Sequence, residues 1–296
     1  MLTFQGVLNT ISNSTDKDFI QFCSNWGLIP HIEREAPNCP KCGQKMPIYY
    51  SHQQTDGAIF RCCRCKTKRA VRQNAWTRQS QLSLRTIAKI LAYWCEDHAL
   101  DVASSHIPEA TYNTIMDWFH EFSRLAGNAY VTDILARPLG AAKVEIDESH
   151  FFKAKHNVGA SLALPQLWVF GVIDTGNGRV LLEPVEKRDA ETLIPIIERC
   201  IARGSVIHSD CWGAYVSLGQ RGYHHATVNH KEHFVDPDTG ACTNGIEGIW
   251  GVVKGWMRKR MFRRCRSTFV DHLREWGFRR NIGKTFEACW RAIAGV

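Results

Sequence analysis

Two sets of residues in this chain have types and spacings that point to chemistry: paired cysteines near the amino terminus and separated acids in the second half. Cys39-Pro-Lys-Cys42 and Cys62-Cys63-Arg-Cys65 are C-x₂-C pairs with 19 residues between them. A C-x₂-C turn places two sulfurs on one side of an ion, and a hairpin between two such turns brings the second pair opposite, the tetrahedral thiolate set that zinc takes. Cys39, Cys42, Cys62 and Cys65 are therefore the expected ligands of one structural Zn²⁺. Cys63 could replace Cys62, but only through the less usual C-x-C spacing. The remaining cysteines (Cys23, Cys95, Cys200, Cys211, Cys242, Cys265 and Cys289) are isolated in sequence and read as small apolar residues.

The acids stand where a purely structural role is hard to assign. Asp147 lies inside KVEIDESHF, Asp210 ends the short apolar run SVIHSD, and Glu247 opens the amphipathic stretch IEGIWGVVKGWMRK. Phosphoryl transfer uses two divalent ions about 3.5–4 Å apart, and carboxylates are the ligands that hard Mg²⁺ or Mn²⁺ prefers. A strand, a later adjacent strand and a following helix would bring Asp147, Asp210 and Glu247 together at one sheet edge. Strand alternation sends Glu148 to the opposite face and leaves Glu145 on the face of Asp147, as a competitor. Asp174, before a Gly-containing turn, reads as a turn-former.

The elements needed to position these groups are visible in the periodicity. TDKDFIQFCSNWGLI predicts a short helix opening after Ser14 or Thr15; LSLRTIAKILAYWCEDHA and TYNTIMDWFHEFSRLA repeat apolar residues at helical spacing. These two helices, joined by a short connector, suit a helix-turn-helix-like arrangement. From about residue 141 the order becomes β, β, β, α, β, then a loop or helix, β, α. It includes the hairpin LWVFGVID-TGNG-RVLLEPVE and a helix capped by Asp189. The expected organisation is an N-terminal helical segment (1–35), a zinc ribbon (36–75), a helical DNA-binding region (76–137) and an α/β catalytic domain with a mixed sheet (138–296).

Composition narrows the class. The chain has 296 residues, 44% hydrophobic and 22% charged, with a formal net charge of +8, an ordinary globular profile. The positive charge is concentrated. Arg61, Arg64, Lys66, Lys68, Arg69, Arg72 and Arg78 follow one another without an acid, as do Lys254, Arg258, Lys259, Arg260, Arg263, Arg264 and Arg266. Clustered cations suit a phosphate backbone, whose counterions they release. No run approaches the roughly 18 apolar residues of a membrane span, and the opening residues carry no signal-peptide pattern. The expectation is an intracellular protein with no membrane partner and with thiols reduced or metal-bound.

Together, the CPKC…CxxC ribbon, VEIDESHF, IHSDCWGAY and TNGIEGIWGVVK resemble the Merlin superfamily of DDE transposases and its bacterial insertion-sequence relatives, from about Cys39 to Phe286. The resemblance implies an RNase H-like catalytic fold with Asp147, Asp210 and Glu247 as first, second and third acids. It also implies that Lys254, two helical turns beyond Glu247, contacts phosphate near the active site. In some bacterial members an asparagine replaces the third acid, which makes Asn244 a possible metal partner. His230, in VNHKEHFVDPDTG, is family-like too and is assigned a DNA-contact or loop-ordering role; His233 beside it lacks a complementary ligand pair.

The function expected on these grounds is DNA transposition: cutting at terminal inverted repeats and joining 3′-hydroxyl ends to target DNA. The partners would be double-stranded DNA and, to bridge two ends, at least a second copy of the chain. The rivals are a domesticated, non-cleaving DNA-binding protein and an RNase H-like structure-specific nuclease. The protein would act in the nucleus of an animal host or the cytoplasm of a bacterial one.

Overall fold

The computed structural model describes residues 1–140, 143–151, 167–229, 232, 235–237, 239–260 and 266–295. It divides into two compact units, Met1–Leu125 with Ile282–Val296, and Ala126–Asn281.

The first unit begins with two short helices, α1 (Phe4–Asn13) and α2 (Asp16–Asn25), capped by Thr3 and Thr15 side chains that accept the N–H groups of Gly6 and Asp18. The capping of α2 is the one its sequence predicts; α1 was not anticipated. The ribbon follows as a three-stranded antiparallel sheet in the order β1 (Ile48–Tyr50), β2 (Ala58–Arg61), β3 (Lys68–Ala70). Then come α3 (Leu84–Cys95), α4 (Leu100–His106) and α5 (Tyr112–Ala136), whose residues from Ala126 onward belong to the second unit. Ser83 caps α3 by accepting the Thr86 N–H. Along α3, Leu84, Ile87, Ala88, Leu91 and Trp94, the apolar period read from the sequence, are buried, and so is Ile90 outside that period.

A last helix, α9 (Phe286–Ala294), belongs to this unit and not to the catalytic domain in which its sequence position placed it. Trp290 decides this, packing edge-on against Phe22 and donating its Nε1–H to the Trp26 carbonyl at 3.1 Å. Sequence position says nothing of such a return.

The second unit is built on a five-stranded mixed sheet, β6 (Val180–Val185), β5 (Trp168–Asp174), β4 (Lys143–His150), β7 (Val206–Asp210), β8 (His224–Val228), in that order. β4, β5 and β6 pair antiparallel, whereas β4–β7 and β7–β8 pair parallel. The change of sense follows from the connections: a tight turn suffices between β5 and β6, but a parallel neighbour needs a crossover, here through α6 (Ala190–Cys200). Asp174 ends β5 and accepts the N–H of Gly176, the side-chain amide of Asn177 and the N–H of Gly140, the turn-forming role read from its position. Both sheet faces are buried, Val144, Ile146, Phe170 and Val172 on one and Val169, Ile173 and Leu182 on the other. Over the second face lie α7 (Asn244–Arg260) and α8 (Arg266–Asn281), whose Ile246, Ile249, Trp250, Val253, Phe269 and Leu273 complete one apolar cluster. A mixed sheet covered by helices is what the order of elements in the sequence predicts. Among the described residues no helix is long and apolar enough to cross a membrane.

Candidate active site

The site is set by the register of two strands distant in sequence. β4 and β7 pair with Glu145 level with His208; the same register carried two residues further sets Asp147 beside Asp210. In parallel pairs level residues point the same way, so both carboxylates leave one face of the sheet. Alternation places Glu145 and Ser149 on that face as well. Across the other border of β4, the residue opposite Asp147 is Gly171 of β5.

α7 lies over this face and is held at its first turn by Glu145. The Glu145 carboxylate is buried and accepts the N–H of Gly245 at 2.7 Å and of Ile246 at 3.2 Å. An anion at a helix N-terminus satisfies donors that have no partner within the helix and meets the positive end of its dipole. Lys143 balances the charge at 3.5 Å. Thus Glu145, the competitor of Asp147 by parity, is committed to anchoring the helix that carries Glu247.

Asp147 is mostly buried, and one of its oxygens accepts the indole Nε1–H of Trp250 at 2.9 Å. Burial first, then the charges of Asp210 and Glu247, raise its pKa against that hydrogen bond. Those two charges are therefore felt at Asp147. Asp210 accepts the Trp212 N–H at 3.0 Å. Glu247 is exposed on the first turn of α7, with Asn244 exposed at its start. Lys254 donates to Ser149 Oγ at 2.6 Å and sits 5.3 Å over the Phe151 ring, on the Asp147 face. Burial lowers its pKa while Asp147 supports its charge. Glu148, on the other face, is pushed up to about 8 by burial and by the charges of Asp147 and Asp210, with Arg188 opposing.

The oxygen donors of Asp147, Asp210 and Glu247 are the hard, anionic set that Mg²⁺ or Mn²⁺ takes. They are spaced more widely than the cysteine sulfurs: among the described residues, only the cysteines form a group of at least three metal-ligating residues whose ligand atoms all lie within 4.8 Å. A wider spacing suits two ions completed by phosphate and water better than a single all-protein cage.

That compact group is Cys39, Cys42, Cys62 and Cys65, a set able to hold a structural zinc ion. Cys42 and Cys62 sulfurs are 3.6 Å apart, and the Cys65 N–H donates to Cys62 Sγ at 3.3 Å. Burial would raise the Cys39 thiol, but N–H groups of Lys41 and Cys42 and the neighbouring thiols hold it down to about 6. Hydrogen bonding to Cys42, with burial, pushes Cys65 up to about 12. The opposite shifts of Cys39 and Cys65 reflect sulfurs crowded together, the condition a cation relieves. Cys63 is exposed, its sulfur 3.8 Å from the Tyr49 hydroxyl.

The predicted cationic surfaces are only partly exposed. Arg61, Arg64, Lys66, Lys68 and Arg69 are exposed on the ribbon, and Arg258 and Lys259 on α7. Arg61 and Lys68 stand directly opposite across β2 and β3, a like-charge pairing that costs stability unless a polyanion faces it. Arg72 corrects its expected role as a DNA contact: it is 7% exposed, pairs with Asp56 at 3.0 Å and donates to the Leu82 carbonyl at 2.9 Å. Asp56 in turn accepts the Leu84 N–H, so Arg72 ties the ribbon to the start of α3. Arg260 is likewise diverted, lying over Trp256 and 3.6 Å from the buried Glu275. His230, His233, Arg263 and Arg264 lie outside the described residues.

Trp250 and Gly171 carry site geometry that the sequence reading did not assign. Trp250 counted only as an apolar position on a helix, and nothing in helical period marks an indole that donates to a carboxylate. A signal for Gly171 existed, since an isolated glycine within a strand marks a close approach by another group.

Residues 141–281 match the family described as ISXO2-like transposase domain, a stretch that ends at the last residue of the second unit. No curated protein matches the chain. Among solved structures, the chain is similar to the HTLV-2 integrase catalytic core domain in complex with magnesium, at 16% identity and a TM-score of 0.32. That alignment covers 48% of this chain and 86% of the other. It is also similar to a chain of the simian T-cell lymphotropic virus intasome in complex with the PP2A regulatory subunit B56 gamma, at 17% identity and a TM-score of 0.32, covering 56% and 57%.

Proposed function

We propose that this protein, whose residues 141–281 match a transposase domain, cuts DNA at terminal inverted repeats and joins the freed 3′-hydroxyl ends to target DNA. At the coarser level the matched domain supports a role in DNA transposition or integration. The observation that carries the finer reading is the placement of Asp147 and Asp210 on one face of adjacent parallel strands, with the charges of Asp210 and Glu247 acting on Asp147.

Asp147, Asp210 and Glu247 would hold two Mg²⁺ or Mn²⁺ ions. The chemistry such ions supply when bound is activation of the attacking oxygen and stabilisation of the leaving one. The chain's own residues supply position and charge. Trp250 fixes the orientation of Asp147, and Glu145 fixes α7 so that Glu247 faces the same edge. Lys254, held by Ser149, offers a cation to the phosphate beside Asp147. The ribbon, stapled by one zinc ion, with α3 to α5, is the reader of the DNA ends. Its exposed Arg61, Arg64, Lys66, Lys68 and Arg69 contact phosphates, as do Arg258 and Lys259. Two ends cut in concert require at least two copies of the chain.

The test is a cleavage and strand-transfer assay in Mg²⁺ with DNA carrying the element's own ends, wild type against Asp210→Ala. Cutting and joining by the wild type and loss of both, by a factor of a thousand or more, in the variant are expected. Equal joining by the two proteins overturns the assignment. Specific binding without cutting by the wild type would make the protein a non-cleaving DNA-binding factor, and nicking without joining a nuclease.

A further inference from the structure

We propose that Trp212, stacked on Arg188, is a platform for an unpaired nucleobase of the DNA strand held beside Asp210. This rests on the DNA-transposition reading above and adds a base-binding subsite to it.

Trp212 is 42% exposed, unusual for the side chain with the largest apolar area to hide. It is nevertheless locked in place. Its indole Nε1–H donates to the Arg188 carbonyl at 2.7 Å, and its backbone N–H donates to Asp210 Oδ1 at 3.0 Å. The ring is thus tied through one covalent turn to a proposed metal ligand. The Arg188 guanidinium lies 4.8 Å from the Trp212 ring centroid and 4.0 Å from that of Trp168, so it touches both indoles. Trp168 is itself braced edge-on by His150 at 4.9 Å.

Beside the guanidinium is Glu148, whose carboxyl group is 3.7 Å from Arg188 and whose side chain is only 3% exposed. Its Oε1 is buried without a hydrogen-bond partner among the described residues. A buried acid with an unsatisfied oxygen in this position is costly for folding alone. Its contact keeps Arg188 against the two indoles, and Arg188 in turn backs Trp212.

A rigid, half-open indole backed by a cation is the surface on which a base stacks, irrespective of its identity, because every base has a π-face. The guanidinium adds attraction for the adjoining phosphate. Stacking here would fix the strand that passes Asp210, and a duplex end must open to offer it a base.

The test measures binding of the full-length protein, without divalent metal, to two fluorescent probes by anisotropy: a short oligothymidylate and an abasic strand with the same number of phosphates. The wild type is expected to prefer the oligothymidylate by roughly ten-fold, in line with base–aromatic stacking. Trp212→Ala is expected to erase the preference while leaving the abasic affinity within about two-fold, and Trp212→Phe to keep most of it. Equal wild-type affinity for both probes overturns the platform, as does a preference that survives in Trp212→Ala. If the alanine variant melts early, the phenylalanine variant decides: loss of preference in a stably folded Trp212→Phe also overturns a platform of this kind. Failure of the wild type to bind either probe counts against the DNA reading itself. A wild type that joins DNA ends yet shows no base preference loses only the platform.

Discussion

The Trp250 ring lies over Gly171 so closely that a Cβ at that glycine would stand 2.5 Å from Cζ2 of the indole. Gly171 is the cross-strand neighbour of Asp147, and the ring seated above it donates its N–H to Asp147. Absence of a side chain on one strand is thus what allows a helix residue to reach the carboxylate on the next.

Gly171→Ala should separate these parts. The methyl group meets a rigid aromatic ring and cannot be relieved by a rotamer change, so overpacking should cost about 1–3 kcal/mol. The ring must move, and the hydrogen bond to Asp147 with it. A lower melting temperature and at least ten-fold slower DNA cleavage are expected; Trp250→Phe, which keeps the packing and removes the donor, should slow cleavage with a smaller change in melting. Unaltered cleavage in both variants would show that Asp147 needs no such support.

Glu145→Gln tests whether that carboxylate is an anchor or a metal ligand. Removing the charge from the start of α7 should destabilise the protein by about 1–2 kcal/mol, measured as a fall in thermal stability in metal-free buffer. Unchanged metal-free stability combined with weakened Mn²⁺ binding by calorimetry would reassign Glu145 to the ion site.

The ribbon makes a sharper prediction because two adjacent cysteines have opposite surroundings. Cys62 is buried within the sulfur cluster and Cys63 is exposed. Cys62→Ser should lose zinc, read by atomic emission on purified protein, and with it the fold of the ribbon, whose core is too small to stand without the ion. Cys63→Ser should retain one zinc per chain. Retention of zinc by both would mean that the pair is interchangeable.

Glu148 predicts a pH dependence of stability in the metal-free protein. Its folded pKa of about 8 stands above the ordinary 4.5, so the folded state favours the protonated acid. The associated stability is fully present below about pH 4.5 and is lost as pH rises through about 8. Melting temperature should therefore fall between pH 5 and 9, and Glu148→Gln should flatten the fall. Asp147, raised in the same direction, leaves a residual slope. A fall that persists undiminished in Glu148→Gln would show that Glu148 does not carry it.

What the sequence determined by itself is what local chain geometry controls. The two C-x₂-C turns bring sulfurs together because each pair closes over only three peptide units. The TGNG hairpin, the caps at Thr15, Ser83 and Asp189, and the apolar period of α3 and α7 are likewise decided within a few residues. The placement of Asp147 and Glu247 on a strand and a helix, and of Asp210 at a strand end, follows from the same local rules. Only the tertiary structure decided which of these groups meet. The register of β4 on β7 joins segments more than 50 residues apart, and a slip of one residue would turn Asp147 away from Asp210. The same long-range packing commits Glu145 to α7, brings Trp250 to Asp147 through the gap at Gly171, and withdraws Arg72 and Arg260 from the cationic surface into ion pairs. A charge's solvent exposure depends on partners far off in the chain, and no spacing rule reports them.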